Sequence, residues 1–116
     1  MKRLPFAALA LLGLCACATA ALPQDRLAKS QATIESADAV GASKNPQAAL
    51  HMQLAQEGLA KAQQLAKQGN TPRALVFLDR AQADADLALA LARQADALAE
   101  AETAQAAVVG LQGGQP

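Results

Sequence analysis

The sequence predicts an all-α fold, an antiparallel three-helix bundle in which helices two and three form a hairpin and a shorter first helix packs beside them. Three observations carry this expectation. Alanine, the residue with the best intrinsic helix propensity, makes up roughly a quarter of the 116 residues. Small and apolar side chains recur in alternating fours and threes: Ala74, Leu78, Ala81, Ala85, Ala88, Ala92, Ala95 and Ala99. Such a 3.5-residue repeat holds one seam of a helix against a partner, and an alanine seam lets the partner backbone come close. Finally, Asn45-Pro46, Gly69 and Thr71-Pro72 mark two tight helix boundaries.

The chain opens with an address. Met1-Lys2-Arg3 is a short basic region, and Leu4 to Leu14 is apolar throughout. The pair matches a secretory signal, and the apolar run is too short to span a bilayer. Leu14-Cys15-Ala16-Cys17 resembles a bacterial lipobox, which makes residues 1–16 a lipoprotein signal peptide and Cys17 the lipid-bearing residue. Residues 17–23 then serve as anchor and linker. A Cys17 carrying three acyl chains exceeds the two signals that make membrane anchoring stable. Ala18 in place of Asp after Cys17 resembles signals for the outer membrane, so the expected location is its periplasmic face. Two alternatives stand beside this reading. Ala18-Thr19-Ala20 also fits an ordinary cleavage site before Ala21, and an uncleaved anchoring segment is the third possibility.

The helical domain is expected over residues 24–107. Leu27, Ser30, Ile34, Ala37 and Gly41 share one face of a first helix over 24–42, with Gly41 to Lys44 as its weak, exposed end. Asn45 is a strong N-cap residue and Pro46 suits the first helical position, where its missing N–H costs nothing. Helix two then presents Ala48, His51, Ala55, Gly58, Ala62 and Leu65 along a seam. Gly58 lowers helix propensity, and its place on the seam implies close backbone approach in compensation. Gly69 ends the helix as a residue able to turn left-handed. Lys67 suits the negative end of the helix dipole.

Thr71-Pro72 starts helix three, and so short a connection makes helices two and three antiparallel neighbours. Leu87, Leu91 and Leu98 form a second apolar stripe beside the alanine seam, and one stripe is expected to face helix two and the other helix one. Asp79, Asp86, Arg93 and Glu100 recur every seven residues and are expected to mark the solvated side. At ~1.5 Å per residue the three helices span roughly 28, 35 and 50–54 Å, so the third outruns its partners. Leu98, Val108 and Val109 therefore form a candidate interaction surface. Residues 108–116, with Gly110, Gly113 and Gly114, are expected to be a disordered tail.

Composition narrows the function. The chain has no Trp or Tyr and a net charge of zero. Without Lys2 and Arg3, eight basic side chains face ten acidic ones, which leaves no basic footprint for nucleic acid. One His and two Cys near the start argue against a metal site. His51 is the only general base by type. Catalysis would need a nucleophile or orienting carboxylate in reach, and helix two offers only Glu57, on another face, so a half-buried packing histidine is expected. Asp84, Asp86, Asp96, Glu100 and Glu102 are strung along a helix, unlike the clustered oxygen ligands of a calcium loop, and are expected on a solvated face. With no phosphate-binding loop or nucleophile elbow, no enzyme, cofactor or small-molecule substrate is expected.

The segment from Leu59 to Leu75, LAKAQQLAKQGNTPRAL, followed by RAQADADLALALA from Arg80 to Ala92, resembles the family designated domain of unknown function 4398. The resemblance covers most of residues 24–105, and the Asp84 to Ala90 run is its best mark. It implies a short, alanine-rich, exported helical domain, often a lipoprotein, and brings no activity and no site residues. Some members carry a peptidoglycan-binding module that this sequence lacks. Gly69, Ala74, Leu78 and Ala81 also echo one tetratricopeptide repeat, but a stable stack needs at least about three.

An alanine-rich core in so small a domain contributes little burial energy, so a protein partner or homo-oligomer is expected. The resulting reading is a lipid-anchored envelope protein whose helical domain serves a structural or adaptor role. The alternative is a soluble periplasmic binding or chaperone-like protein cleaved before Ala21. A self-assembling spacer resembling the fibrous murein lipoprotein is a third reading, set back by the turns at Pro46 and Pro72.

Overall fold

A computed structural model describes residues 21–114. The signal segment and Cys17 lie outside the described residues. The chain folds into α1 (Gln24–Ala39), a single 3₁₀ turn (Ala42–Lys44), α2 (Pro46–Lys67) and α3 (Thr71–Gly113). Pairings between side chains set the directions. Arg26 and Ser30 of α1 meet Asp79 and Gln82 of α3 in the same order, so these helices run parallel. His51 meets Asp84 while Gly58 lies over Ala81, so α2 and α3 are antiparallel. The expected three-helix bundle is the observed fold.

The boundaries follow local chemistry. α1 ends at Ala39, three residues before the expected position, because Gly41 turns left-handed at φ 86° and reverses the chain. In the 3₁₀ turn that follows, Ser43 and Lys44 are exposed as expected, but Ala42 is fully buried. Asn45 caps α2 by accepting from the Gln47 and Ala48 amides at 3.0 and 3.1 Å. At the far end Gly69 adopts φ 78°, with Gly69 N–H donating to Ala66 O and Asn70 N–H to Leu65 O. These two bonds form a Schellman closure, which pairs carbonyls the helix end would otherwise leave open. Asn70 also caps α3, its side chain accepting from Arg73 N–H at 3.3 Å. The cap residue is thus Asn70, and Thr71 is the first residue of the helix.

The alanine seam organises the packing. Ala74, Leu78, Ala81, Ala85, Ala88 and Ala92 are all buried, Ala95 is half-buried and Ala99 is exposed. α1 contributes Leu27, Ser30, Ile34 and Ala37, and α2 contributes Ala48, Ala55, Leu59, Ala62 and Leu65. Both helices pack against the same seam from its two sides, so the core tapers. Leu22, Leu27, Ile34, Leu59, Leu65 and Leu78 fill the end near the α2–α3 turn. Only alanines, namely Ala37, Ala42, Ala48, Ala88 and Ala92, form the buried cluster at the other end. Ser30 is fully buried, and its hydroxyl donates to Gln82 Oε1 at 2.9 Å, tying α1 to α3.

Gly58 marks a close approach of α2 and α3. A Cβ there would stand 3.1 Å from Ala81 Cβ and 3.5 Å from the Phe77 carbonyl oxygen. Gly58→Val is therefore expected to destabilise the domain by about 1–3 kcal/mol through overpacking. Gly58→Ala should change it less, because the gain of up to ~1 kcal/mol in helix propensity offsets the tight contact. Thermal melts of the two variants, read by circular dichroism, check both expectations.

α3 does not stop near residue 107. It continues to Gly113, so residues 108–113 are helical where a disordered tail was expected. The alanine-rich run from Ala95 to Ala107 carries the helix on, and elongation adds one backbone bond for each residue fixed, even where the residue is glycine. At ~1.5 Å per residue, α3 reaches roughly 64 Å against roughly 33 Å for α2.

Candidate interaction surface

Beyond Ala95 every described residue of α3 is exposed. The overhang carries Leu98, Val108 and Val109, which are 58%, 52% and 67% exposed, and Leu111 at 78%. The stripe of Leu87, Leu91 and Leu98 does not receive a helix of its own. Leu91 is partly buried, but Leu87 and Leu98 are open to solvent, because α1 occupies the alanine seam itself.

A longer surface runs behind the seam. From Val76 to Leu111, steps of four and three trace a second stripe along α3, one that drifts by ~20° per heptad on a straight helix. Its large side chains are Val76, Leu87, Val108 and Leu111, all exposed. Between them lie Ala83, Ala90, Ala97, Ala101 and Ala104, with Arg80 and Gln94 as the polar interruptions, and all seven are exposed too. The charges that repeat every seven residues, Asp79, Asp86, Arg93 and Glu100, are exposed as expected but flank this stripe on one edge. The back of the helix is therefore mostly apolar, with Arg80 as its one charge and the seven-residue charge repeat at the side. The same alternation that reveals the buried seam reveals this one when started from Val76. Contiguous exposed apolar surface of this extent marks interaction sites in soluble proteins.

His51 is half-buried and Asp86, Asp96, Glu100 and Glu102 are exposed, as expected; Asp84 departs from the expectation. His51 Nδ1 lies 2.9 Å from Asp84 Oδ1, and the two side chains are 27% and 15% exposed. Asp84 thus leaves the solvated face and partners His51 across the α2–α3 boundary, where a search along helix two alone finds only Glu57. Asp86 accepts from Gln82 Nε2 at 2.9 Å, and Asp79 pairs with Arg26. Asp96, Glu100 and Glu102 are exposed on the overhang. Among the described residues no group of three His, Cys, Asp or Glu side chains could hold a metal ion. A shallow groove of about 380 Å³ between α2 and α3 is lined by Leu54, Gly58, Phe77 and the charged Glu57, Lys61 and Arg80, with Asp84 at its edge.

Fold and surface together define a small all-α domain, an antiparallel three-helix bundle whose third helix projects beyond its partners with an apolar back. The sequence pattern of the domain of unknown function DUF4398 matches residues 25–108, and the chain belongs to that family. No curated protein and no solved structure gives a match.

Proposed function

We propose that this chain is a lipid-anchored envelope protein whose helical domain serves a structural or adaptor role through protein–protein contact, without catalysis. The observation that carries the reading is the exposed apolar face of α3, which continues onto an overhang with no counterpart in α1 or α2. An element that only completed a core would have no need to project past it. The Leu14-Cys15-Ala16-Cys17 run supports lipid attachment at Cys17 and placement at the periplasmic face of the outer membrane. No helix among the described residues is long and apolar enough to cross a membrane.

Metabolic labelling with radioactive palmitate tests the anchor. The unaltered protein should take up label and sediment with membranes, and Cys17→Ser should lose both properties. A Cys17→Ser protein that is still labelled and membrane-bound would sink the assignment. An unlabelled protein free of membranes, with its N-terminus at Ala21, would favour the soluble periplasmic reading.

A further inference from the structure

We propose that the exposed back of α3 is the docking face for a second copy of this chain, paired antiparallel along the length of the helix. The inference rests on the structural or adaptor role proposed above, but not on lipid attachment. Its first support is size. Pairing from Arg80 to Leu111 would join helices over ~48 Å, and a strip ~10–12 Å wide covers on the order of 500 Å² on each copy. The total of roughly 1,000 Å² reaches the lower bound of a specific interface. α1 and α2 lie on the opposite side of α3, so neither obstructs the approach.

The second support is fit in one register. Centre the two-fold axis between Gln94 and Ala97, so that each meets the other's counterpart. Leu87 then faces Ala104 of the second copy, and Ala83 faces Val108, so large side chains meet small ones at each of these levels. Along the edges, Arg93 stands opposite Glu100 of the second copy, twice by symmetry, and Leu91 stands opposite Leu98. Opposite charges at flanking positions set orientation and register in paired helices. A parallel pairing in register would instead align every residue of the face with itself, placing Leu87 on Leu87 and Ala104 on Ala104. The antiparallel register thus uses both the size alternation and the only basic residue in the seven-residue charge repeat.

Cysteine crosslinking in cells expressing the full chain tests this. Two differently tagged variants, Leu87→Cys and Ala104→Cys, are expressed singly and together, then treated with a short bismaleimide. The mixture should yield a crosslinked dimer bearing both tags, and neither variant alone should, because like positions lie about 25 Å apart in the antiparallel pair. A chain without engineered cysteines supplies the background, so the readout does not depend on whether Cys17 is acylated. Arg93→Glu placed in both variants should lower the yield about tenfold, since two attractive pairs become repulsive, and adding Glu100→Arg should restore it. Three results would overturn self-pairing: dimers from each variant alone, which indicate parallel chains; crosslinks only to a protein of another mass, which leave the adaptor role standing; and no crosslink in the mixture.

Discussion

Leu78→Ala is expected to lower the stability of the domain by about 2–5 kcal/mol, the range for truncating a large aliphatic side chain in a packed core. Leu78 is 1% exposed and is the largest fully buried side chain among the described residues. It lies on the alanine seam within the cluster that also holds Leu59, Leu65, Leu27 and Ile34. Its neighbours belong to three regular helices joined by tight turns, which leaves little freedom to collapse into the void. In a domain of this size each kcal/mol shifts the melting temperature by roughly 4–8 °C. The loss is therefore a large share of the 5–15 kcal/mol that folded domains commonly possess. Urea unfolding followed by circular dichroism measures it. A loss below about 1 kcal/mol would mean that helix three does not insert Leu78 between its partners.

The second large effect comes from adding atoms. Ala88→Leu should destabilise by about 1–3 kcal/mol through overpacking. Ala88 is fully buried in an all-alanine cluster with Ala37, Ala42 and Ala48, and the larger side chains packed against that cluster, Val40, Met52, Leu89 and Leu91, are only partly buried. Ala99→Leu is the matched control, since it continues the same seam past the end of α1 and α2 and is exposed. It should change stability by no more than about 0.5 kcal/mol. The comparison reads, within one helix and one residue type, where the bundle ends and the overhang begins. Equal losses at the two positions would place a packed neighbour over Ala99.

Much of this architecture was legible in the sequence because it rests on local rules. Asn45-Pro46 and Gly69 carry their boundary chemistry in side chain and backbone type, and they form the predicted cap and closure. The seam from Ala74 to Ala92 follows from a period that only one helix face can satisfy. Helix three was harder to end. Its C-terminal glycines suggested disorder, yet an alanine run carried the helix through to Gly113. The pairing of His51 with Asp84 was hidden because the partners are 33 positions apart and meet only through the α2–α3 register. The apolar back of α3 was missed for another reason. The charges at Asp79, Asp86, Arg93 and Glu100 mark a solvated side, although they occupy only the edge of the apolar stripe.

By itself the sequence determined the all-α class, the helix count, the antiparallel hairpin, the close approach at Gly58 and the family. Helix capping, periodicity and the volume of alanine are properties of short stretches, so they can be read along the chain. Tertiary structure decided that α1 shares the alanine seam with α2, leaving Leu87 and Leu98 in solvent. Which of two equally periodic faces of one helix is covered depends on where the neighbouring helices come to rest. That choice left Leu87 and the back of α3 in solvent, continuous with the overhang already expected to be an interaction surface, and on this face the function is proposed to depend.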